Sequence, residues 1–356
     1  MRNVFKKIIF GISVFVILAF FVACDALSFA GGGNGGAYSG VNINPPSVPE
    51  IKDDTLVCTF EISGEAERLG LYDGYAGVDC QLTSHDGYFE NTFEFDYVDW
   101  GDGTVQYRES YYVDQIGESD DQTLFIDNYT QSIKVDYYTI TWYYHTYPRQ
   151  EYGASRTYTC KIYGCAANIG TAFDDVKTMT TFRIPDNCTN ISSFSGCRIL
   201  SDVTFGKNSS LAFIPSFAGC FKLRNVQMDG SAEFPDGYVT FPDTVTAGSL
   251  LLTNCMSVKS VYVPDTVTSL QLGLSALSNL KRMTLGASVA SIGPAIISDC
   301  PNLTDVYFRS TTPPTLSSAI FGETGDGGKI ILHVPAISLA KYLRAENYPT
   351  DRIVTE

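Results

Sequence analysis

The sequence is poor in basic residues and in histidine. It has 24 lysines and arginines against 39 aspartates and glutamates, and only 3 histidines among its 356 residues. No part of it offers the basic stripe that phosphate binding needs, so nucleic acid is disfavoured as a partner. It also lacks the H-E-x-x-H, G-x-S-x-G and P-loop motifs. We therefore expect a protein that is not an enzyme, with no catalytic residue, no cofactor and no metal.

A long hydrophobic run is also missing. The apolar run near the N-terminus covers residues 8–23, which is 16 residues, whereas a membrane-spanning helix needs about 20. It follows basic residues within positions 2–7, an arrangement typical of a signal peptide. An ordinary cleaved signal and an uncleaved anchor stay open as alternatives.

The end of this run, Phe21-Val22-Ala23-Cys24, resembles the bacterial lipobox, with Phe21 in place of the usual leucine. The resemblance implies that residues 1–24 are a lipoprotein signal ending at Cys24, whose thiol carries lipid. Two or more acyl chains hold a protein firmly on a membrane. We therefore expect an exported protein, lipid-anchored to a bacterial membrane, at the outer membrane or cell surface.

Composition then divides the rest of the chain. Residues 25–50 contain glycine-rich and proline-rich stretches, which predict a tether. Residues 51–176 have 23 acidic and 7 basic side chains, whereas residues 177–356 have 14 of each. This change in charge, over a length sufficient for two domains, predicts a domain boundary near residue 176.

The C-terminal half contains an internal repeat, L-x-x-V-x-F. Its six copies start at Met179, Leu200, Leu223, Val258, Leu280 and Leu303. The long interval before Val258 holds an extra segment, residues 239–243, which is interpreted as an inserted partial turn. Three residues before each later start there is a cysteine or, once, a leucine: Cys197, Cys220, Cys255, Leu277 and Cys300. We expect stacked coils, each adding one short strand, with these cysteines as buried core thiols.

Several segments of this half resemble the BspA-like leucine-rich repeats. They are residues 217–223 and 263–270 and, near the C-terminus, residues 312–316, 331–335 and Tyr342. The resemblance implies a mainly β leucine-rich-repeat solenoid with a C-terminal cap over residues 177–356. It also implies a surface or secreted protein that binds other proteins or host matrix, without catalysis.

The acidic half resembles a different family. Asp99-Trp100-Gly101-Asp102-Gly103-Thr104 and, further on, His145-Thr146-Tyr147 resemble the two signatures of polycystic-kidney-disease (PKD) repeats. The resemblance implies an immunoglobulin-like β-sandwich over residues 51–176, with Trp100 in its core and a role in spacing or adhesion. The distance between the two signatures is longer than usual in that family.

Three chemical questions stay open in the acidic half. Four cysteines there, Cys58, Cys80, Cys160 and Cys165, allow three disulfide connectivities, and a Cys58–Cys80 bond is one hypothesis. Asp99, Asp102 and residues 118–121 offer oxygen ligands for calcium, but a solvated acidic face explains them equally well. Its tyrosines are compatible with a carbohydrate platform or with half-buried strand positions.

The repeat predicts where a ligand would bind. Because strand side chains alternate, the residue between the last two apolar positions of each copy points away from the core. These residues are Arg183, Thr204, Gln227, Tyr262, Thr284 and Tyr307. Arg224, Lys259 and Arg282 flank them, so we expect a mildly basic face that binds a protein. The alternatives are a structural envelope component that docks to another lipoprotein or to the cell wall, and a carbohydrate-binding protein.

Overall fold

The structure is a computed structural model that describes most of the chain after residue 50. The described residues are 51–63, 68–69, 78–84, 95–107, 124–126, 130–135, 138–143, 145–147, 153–165, 167–170, 173–230, 236–318, 320–321 and 330–356. The predicted signal peptide, Cys24, the tether and the acidic stretch at 118–121 lie outside them. None of the described helices is both long and apolar enough to span a membrane.

Antiparallel strands make up the described part of residues 51–165. They are β1 (Leu56–Ser63), β2 (Arg68–Leu69), β3 (Val78–Ser84), β4 (Tyr97–Asp99), β5 (Val105–Tyr107), β6 (Leu124–Ile126), β7 (Thr130–Val135), β8 (Tyr138–Tyr143), β9 (His145–Thr146) and β10 (Ser155–Tyr163). Strands β1, β10, β4 and β5 are consecutive neighbours in one sheet, whereas β3, β8, β7 and β6 form another and β2 pairs with β9.

The Asp99–Thr104 segment forms a tight turn between β4 and β5. The Asp99 carboxylate accepts a hydrogen bond from the Gly101 amide at 2.9 Å, and the Asp102 carboxylate accepts one from the Thr104 amide at 3.0 Å. Trp100 is buried, and the Tyr147 hydroxyl donates to its carbonyl oxygen at 2.7 Å. The two PKD-like signatures are therefore in direct contact, although membership of that family stays a prediction.

The rest of the chain is a solenoid of stacked coils with two parallel sheets. The long sheet continues from β1 through β12 (Met179–Ile184), β14 (Asp202–Phe205), β16 (Asn225–Met228), β17 (Tyr238–Val239), β19 (Ser260–Tyr262), β21 (Arg282–Leu285), β23 (Asp305–Phe308), β25 (Ile331–Val334) and β26 (Ile353–Thr355). The second sheet contains β15 (Phe213–Ile214), β18 (Ala247–Leu251), β20 (Ser269–Ser275), β22 (Ser291–Ser298) and β24 (Thr315–Leu316). Strands β11 (Asn168–Gly170) and β13 (Asn190–Ile191) pair separately.

The two halves share the long sheet. Strand β1 pairs antiparallel with β12, the first long-sheet strand of the solenoid, and β12 then pairs parallel with β14. Parallel pairing already begins at β11, with β13 as its partner. The boundary at residue 176 therefore stays a prediction, since coil-like pairing starts before it and one sheet runs across it.

Two tight turns, one on each side of the cysteine, occur in the coils of Cys197, Cys220 and Cys255. In the coil of Cys220, the Cys220 amide donates to the Phe217 carbonyl at 3.1 Å, and the Leu223 amide donates to the Cys220 carbonyl at 3.0 Å. The residue just before the cysteine position has a positive φ in every coil: Gly196, Gly219, Asn254, Ala276 and Asp299. Glycine tolerates this left-handed conformation best. Asp175 has the same conformation one coil earlier. It follows Phe173 by two residues, as Gly196 follows Phe194, so the repeating turn already occurs at Phe173.

The cysteine side chains complete these turns. The Cys197, Cys220 and Cys255 thiols each donate to a carbonyl of the preceding coil at 3.0 Å. All are fully buried, and Cys300 makes a longer bond of the same kind, at 3.7 Å. Each thiol therefore fills space between coils. It also donates a hydrogen bond to a turn carbonyl, whose oxygen can accept two.

Aromatic side chains form much of the core at both ends of the solenoid. Phe182 packs edge-on against Phe173 and Phe194, with ring centroids 4.8 and 4.7 Å apart. At the C-terminal end, 3₁₀ turns at Ala336–Ser338 and Thr350–Arg352 flank a short helix, α1 (Leu339–Tyr342). Its buried Tyr342 donates to the Ser310 carbonyl at 2.9 Å. This cap covers the apolar end of the last coil.

Candidate functional site

The predicted ligand-face residues lie side by side on the outer surface of the long sheet. Register pairs Arg183 with Thr204, Thr204 with Gln227, Tyr262 with Thr284, and Thr284 with Tyr307. Each is partly exposed, whereas its neighbours before and after it in the strand are mostly buried. The alternation expected from the sequence therefore holds, and the column is continuous from β12 to β23.

Two residues that the sequence interpretation left out also belong to the column. Strand β17, which contains the first residue of the inserted segment, lies between β16 and β19. It places Thr240, one residue past the paired Val239, beside Gln227 and Tyr262, but the Thr240 side chain is buried. His333 pairs with Tyr307 and extends the column to β25. The insertion concealed Thr240 because it shifts the period. His333 belongs to the terminal segment, which does not follow the six-residue pattern.

The expectation of a mildly basic face is wrong in the middle of the column. Arg224 makes ion pairs with Asp202 and Asp236, each at 3.1 Å. Lys259 reaches the same Asp236 at 2.7 Å, and its hydrogen bond lowers the pKa of that carboxyl. These aspartates lie in strand β14 and in the turn before β17, where only the coil stacking brings them next to the cations. The patch is charge-balanced.

Arg183 is neutralised in a similar way at the first coil. Its guanidinium contacts Asp229 at 2.7 Å and Asp186 at 3.3 Å. The Arg183 side chain is only 17% exposed, so these contacts are better shielded from water than ordinary surface ion pairs. Arg183 is therefore committed to internal contacts and offers little to a partner.

The C-terminal half of the column contains a group that we call the aromatic–arginine cluster, namely Tyr262, Arg282, Tyr307, Arg309 and His333. The guanidinium of Arg309 lies over the Tyr262 ring, 5.8 Å from its centroid, and donates to the Tyr262 hydroxyl. It also makes an ion pair with Asp265 at 3.0 Å. Arg309 and Asp265 are nearly half exposed, so this part of the cluster is open to a partner.

The second part of the cluster is a three-layer stack. The Arg282 guanidinium lies 4.5 Å from the centroid of the Tyr307 ring and donates to its hydroxyl at 3.1 Å. The His333 ring stacks on Tyr307, with centroids 4.1 Å apart and an interplanar angle of 9°. Stacking and cation–π contacts fix these side chains before any partner binds.

Asp305 holds the stack in place from below. Its carboxylate lies 2.7 Å from His333 Nε2. Burial by itself raises the pKa of this carboxyl, but hydrogen bonds from Thr304 and His333 outweigh it, and the pKa is lowered overall. The carboxylate therefore stays ionised at neutral pH and keeps the imidazole oriented.

Other predicted site residues have structural surroundings. Trp100 and the four repeat cysteines are buried, as described above. The carboxylates of Asp99 and Asp102 accept turn amides, and among the described residues no three histidine, cysteine or carboxylate side chains are grouped as a metal site. Cys58 is a free, buried thiol, and the Cys80 side chain lies outside the described part of the chain.

The repeats of this chain are similar to those of known proteins. Residues 169–239 and 236–326 match the BspA type leucine rich repeat region, in six copies. Among solved structures, a leucine rich cell surface protein from Faecalibacterium prausnitzii A2-165 is similar, with 25% sequence identity and a TM-score of 0.32. The similarity covers 56% of this chain and 57% of that one. No curated protein matches the sequence.

Proposed function

We propose that this chain, whose residues 169–326 form a BspA type leucine rich repeat region, binds another protein through the outer face of its long sheet. The observation that supports this best is the aromatic–arginine cluster. Tyrosine and arginine are the residue types most enriched at binding hot spots. Here they occur on adjacent, rigidly stacked strands rather than scattered over the surface.

The cluster is also organised in advance. Tyr307 is held between Arg282 and His333, and Arg309 is held by Asp265 and Tyr262. A partner therefore meets side chains whose rotamers are already restricted, which reduces the entropy lost on binding. Arg309 and Asp265 keep nearly half of their side-chain surfaces exposed at the edge of the cluster, which suits the polar rim of a protein interface.

The charge balance indicates what kind of surface fits. Along the column, Arg183, Arg224, Lys259 and Arg309 are each paired with at least one aspartate, at distances of 2.7–3.3 Å. A polyanion would have to compete with these carboxylates. A mixed protein surface meets less competition, because only a carboxylate that approaches Arg309 would encounter Asp265, whereas its apolar groups would contact the ring edges.

A double variant tests the proposed face. Tyr262→Ala/Tyr307→Ala removes both rings and the two arginine contacts, and should fold as the wild type does in a thermal melt. The matched control is Phe213→Ala, which removes an aromatic ring that is 51% exposed on the second sheet. Each tyrosine of a hot spot contributes about 2 kcal/mol or more, so binding should weaken by at least about 30-fold per ring.

The measurement is crosslinking and co-purification from the native envelope, with wild type and both variants compared side by side. A partner recovered with the wild type and with Phe213→Ala, but lost with the double variant, supports the face. If the double variant keeps full binding while changes in residues 51–176 abolish it, the working surface lies elsewhere. Glycan capture by the wild type that the double variant lacks would instead favour carbohydrate as the ligand.

Export and lipid anchoring are the second part of the proposal. The support is the sequence of residues 1–24, which ends in the lipobox-like Phe21-Val22-Ala23-Cys24. Cys24→Ala should move the protein out of the detergent phase and change its mature mass. An unchanged distribution and mass would contradict lipidation. Proteolysis of whole cells tests surface exposure, because a protein that faces the periplasm should survive it.

The PKD-like resemblance supports a spacer role for residues 51–176. The hydrogen bond from Tyr147 to the Trp100 carbonyl joins the two signatures of that family in one core. A spacer of this kind, placed after the tether, would hold the repeat face away from the membrane. Replacing residues 25–50 with a shorter linker should then reduce partner capture on cells and leave capture by the purified protein unchanged.

A further inference from the structure

Two buried cysteines face one another across neighbouring antiparallel strands. Cys58 of β1 is in direct register with Cys160 of β10. Both thiols are free and neither is exposed at all. The pairs on either side, Leu56 with Ile162 and Phe60 with Tyr158, are also buried, so all of these side chains point to the same core.

The register suits a covalent bond. Directly opposed residues of antiparallel strands have Cα atoms about 4.5 or 5.5 Å apart, depending on the type of pair. A disulfide needs a Cα separation of about 4.4–6.8 Å. The two side chains are already within hydrogen-bonding reach of one another, and burial together with this contact raises the pKa of the Cys160 thiol. Closing the bond needs no change of register.

The other described thiols have different partners. Those of Cys165, Cys197, Cys220, Cys255 and Cys300 each donate to a backbone carbonyl. The Cys188 thiol is buried, and interaction with the backbone at Asn190 and Ile169 moderates the rise that burial causes in its pKa. Within the described part of the chain, the Cys58 and Cys160 thiols are the two that meet in cross-strand register.

We propose that Cys58 and Cys160 form a disulfide when the chain folds in the presence of a disulfide oxidant. One thiolate attacks the oxidant and forms a mixed disulfide, and the second thiolate then displaces the remaining oxidant thiol. Two S–H bonds are lost, one S–S bond forms, and the oxidant is reduced to two thiols. Because neither thiol is exposed, the exchange takes place before the core closes. Its occurrence in cells rests on the export proposed above.

The bond would secure the junction between the two halves. Strand β1 lies between β10 and β12, and Cys58 itself is paired with Phe182 of the first solenoid strand. Joining β1 to β10 would therefore fix the strand on which the long sheet of the solenoid begins. This assignment also replaces the Cys58–Cys80 hypothesis, since a thiol bonded to Cys160 cannot bond elsewhere.

The test uses the full chain, refolded in detergent either with reduced and oxidised glutathione or with a reducing agent alone. Remaining thiols are alkylated, and peptides are mapped by mass spectrometry without reduction. We expect a Cys58–Cys160 linked peptide only in the oxidised sample, with the six other described cysteines alkylated. The oxidised protein should also unfold at a higher urea concentration than the reduced protein.

Variants separate the pair from general effects of oxidation. Cys58→Ala and Cys160→Ala should each remove the linked peptide and the shift in urea midpoint, whereas Cys188→Ala should retain both. Mapping the wild type alone suffices if a variant fails to fold. Recovery of Cys58 and Cys160 as alkylated thiols after oxidative refolding, or a link from Cys58 to Cys80 or Cys165, would overturn the assignment. Neither result depends on where the protein resides in the cell.

Discussion

Replacing Cys220 tests the account of how the coils are held together. This side chain is fully buried, and its thiol donates to the Phe194 carbonyl at 3.0 Å. That carbonyl also accepts the Cys197 amide at 3.2 Å, so removing the thiol would not leave it without a donor. The cost of removal is therefore the lost packing of the sulfur and one weak hydrogen bond.

The magnitude follows from these two parts. Burial of a group the size of a thiol stabilises by about 1 kcal/mol, and a net hydrogen bond by about 1 kcal/mol or less. Cys220→Ala should thus reduce the free energy of unfolding by about 2 kcal/mol. Cys220→Asp adds a buried carboxylate without a cationic partner, for which about 4 kcal/mol or more is expected. The coil with Leu277 at the same position shows that the turn forms without a thiol.

Urea unfolding followed by far-ultraviolet circular dichroism measures both changes. The matched control is Lys222→Asp, which places the same carboxylate at an exposed position two residues further on and should shift stability by no more than about 0.5 kcal/mol. A Cys220→Asp protein that is no less stable than Cys220→Ala, or rapid labelling of Cys220 by a thiol reagent in the native protein, would show that this side chain is not a buried core group.

Two further predictions concern pH and the tight turn. Burial raises the pKa of the Cys255 and Cys188 thiols to about 12. A thiol in the unfolded chain has a pKa of about 8.5, so these two thiols stabilise the fold fully below about pH 8.5, and this stabilisation is lost as pH rises towards 12. A urea midpoint that stays constant up to about pH 11 would contradict this prediction. Gly101→Ala should destabilise the protein more than Gly103→Ala in thermal melts. An added Cβ at Gly101 would lie 2.4 Å from the Thr159 carbonyl oxygen, whereas one at Gly103 would meet nothing within 4 Å. Equal losses would show that only the positive φ matters.

The repeat could be predicted because residues close together in the sequence define it. The L-x-x-V-x-F pattern and the cysteine three residues before it record which side chains face the core of each coil, and the structure buries Cys197 and Cys220 accordingly. Strand alternation likewise identified Tyr262 and Tyr307 as outward-facing. The burial of the cysteines and the outward direction of the tyrosines both follow from the backbone geometry of a single coil.

The charge of the face could not be derived in this way. Arg224 and Asp236 are brought together by the stacking of separate coils, and β17 enters the sheet between β16 and β19 only because the inserted segment has the right length. The expected basic character came from the cations of the flanking column alone. Of their carboxylate partners, Asp202 lies in a different copy of the repeat and Asp236 lies outside the repeat pattern. His333 joins the cluster for a similar reason, since its strand belongs to the irregular C-terminal end.

The register between distant strands was decided by the tertiary structure alone. Local sequence identifies β1 and β10 as strand-like but does not say that they are neighbours, or that Cys58 is opposite Cys160. A shift of one residue would turn one thiol away from the core, and only the combined burial of Leu56, Phe60 and Ile162 selects the observed pairing. The sequence by itself determined which residues are apolar and how they alternate. The choice of partner strand depended on how residues about a hundred positions apart fill a common core.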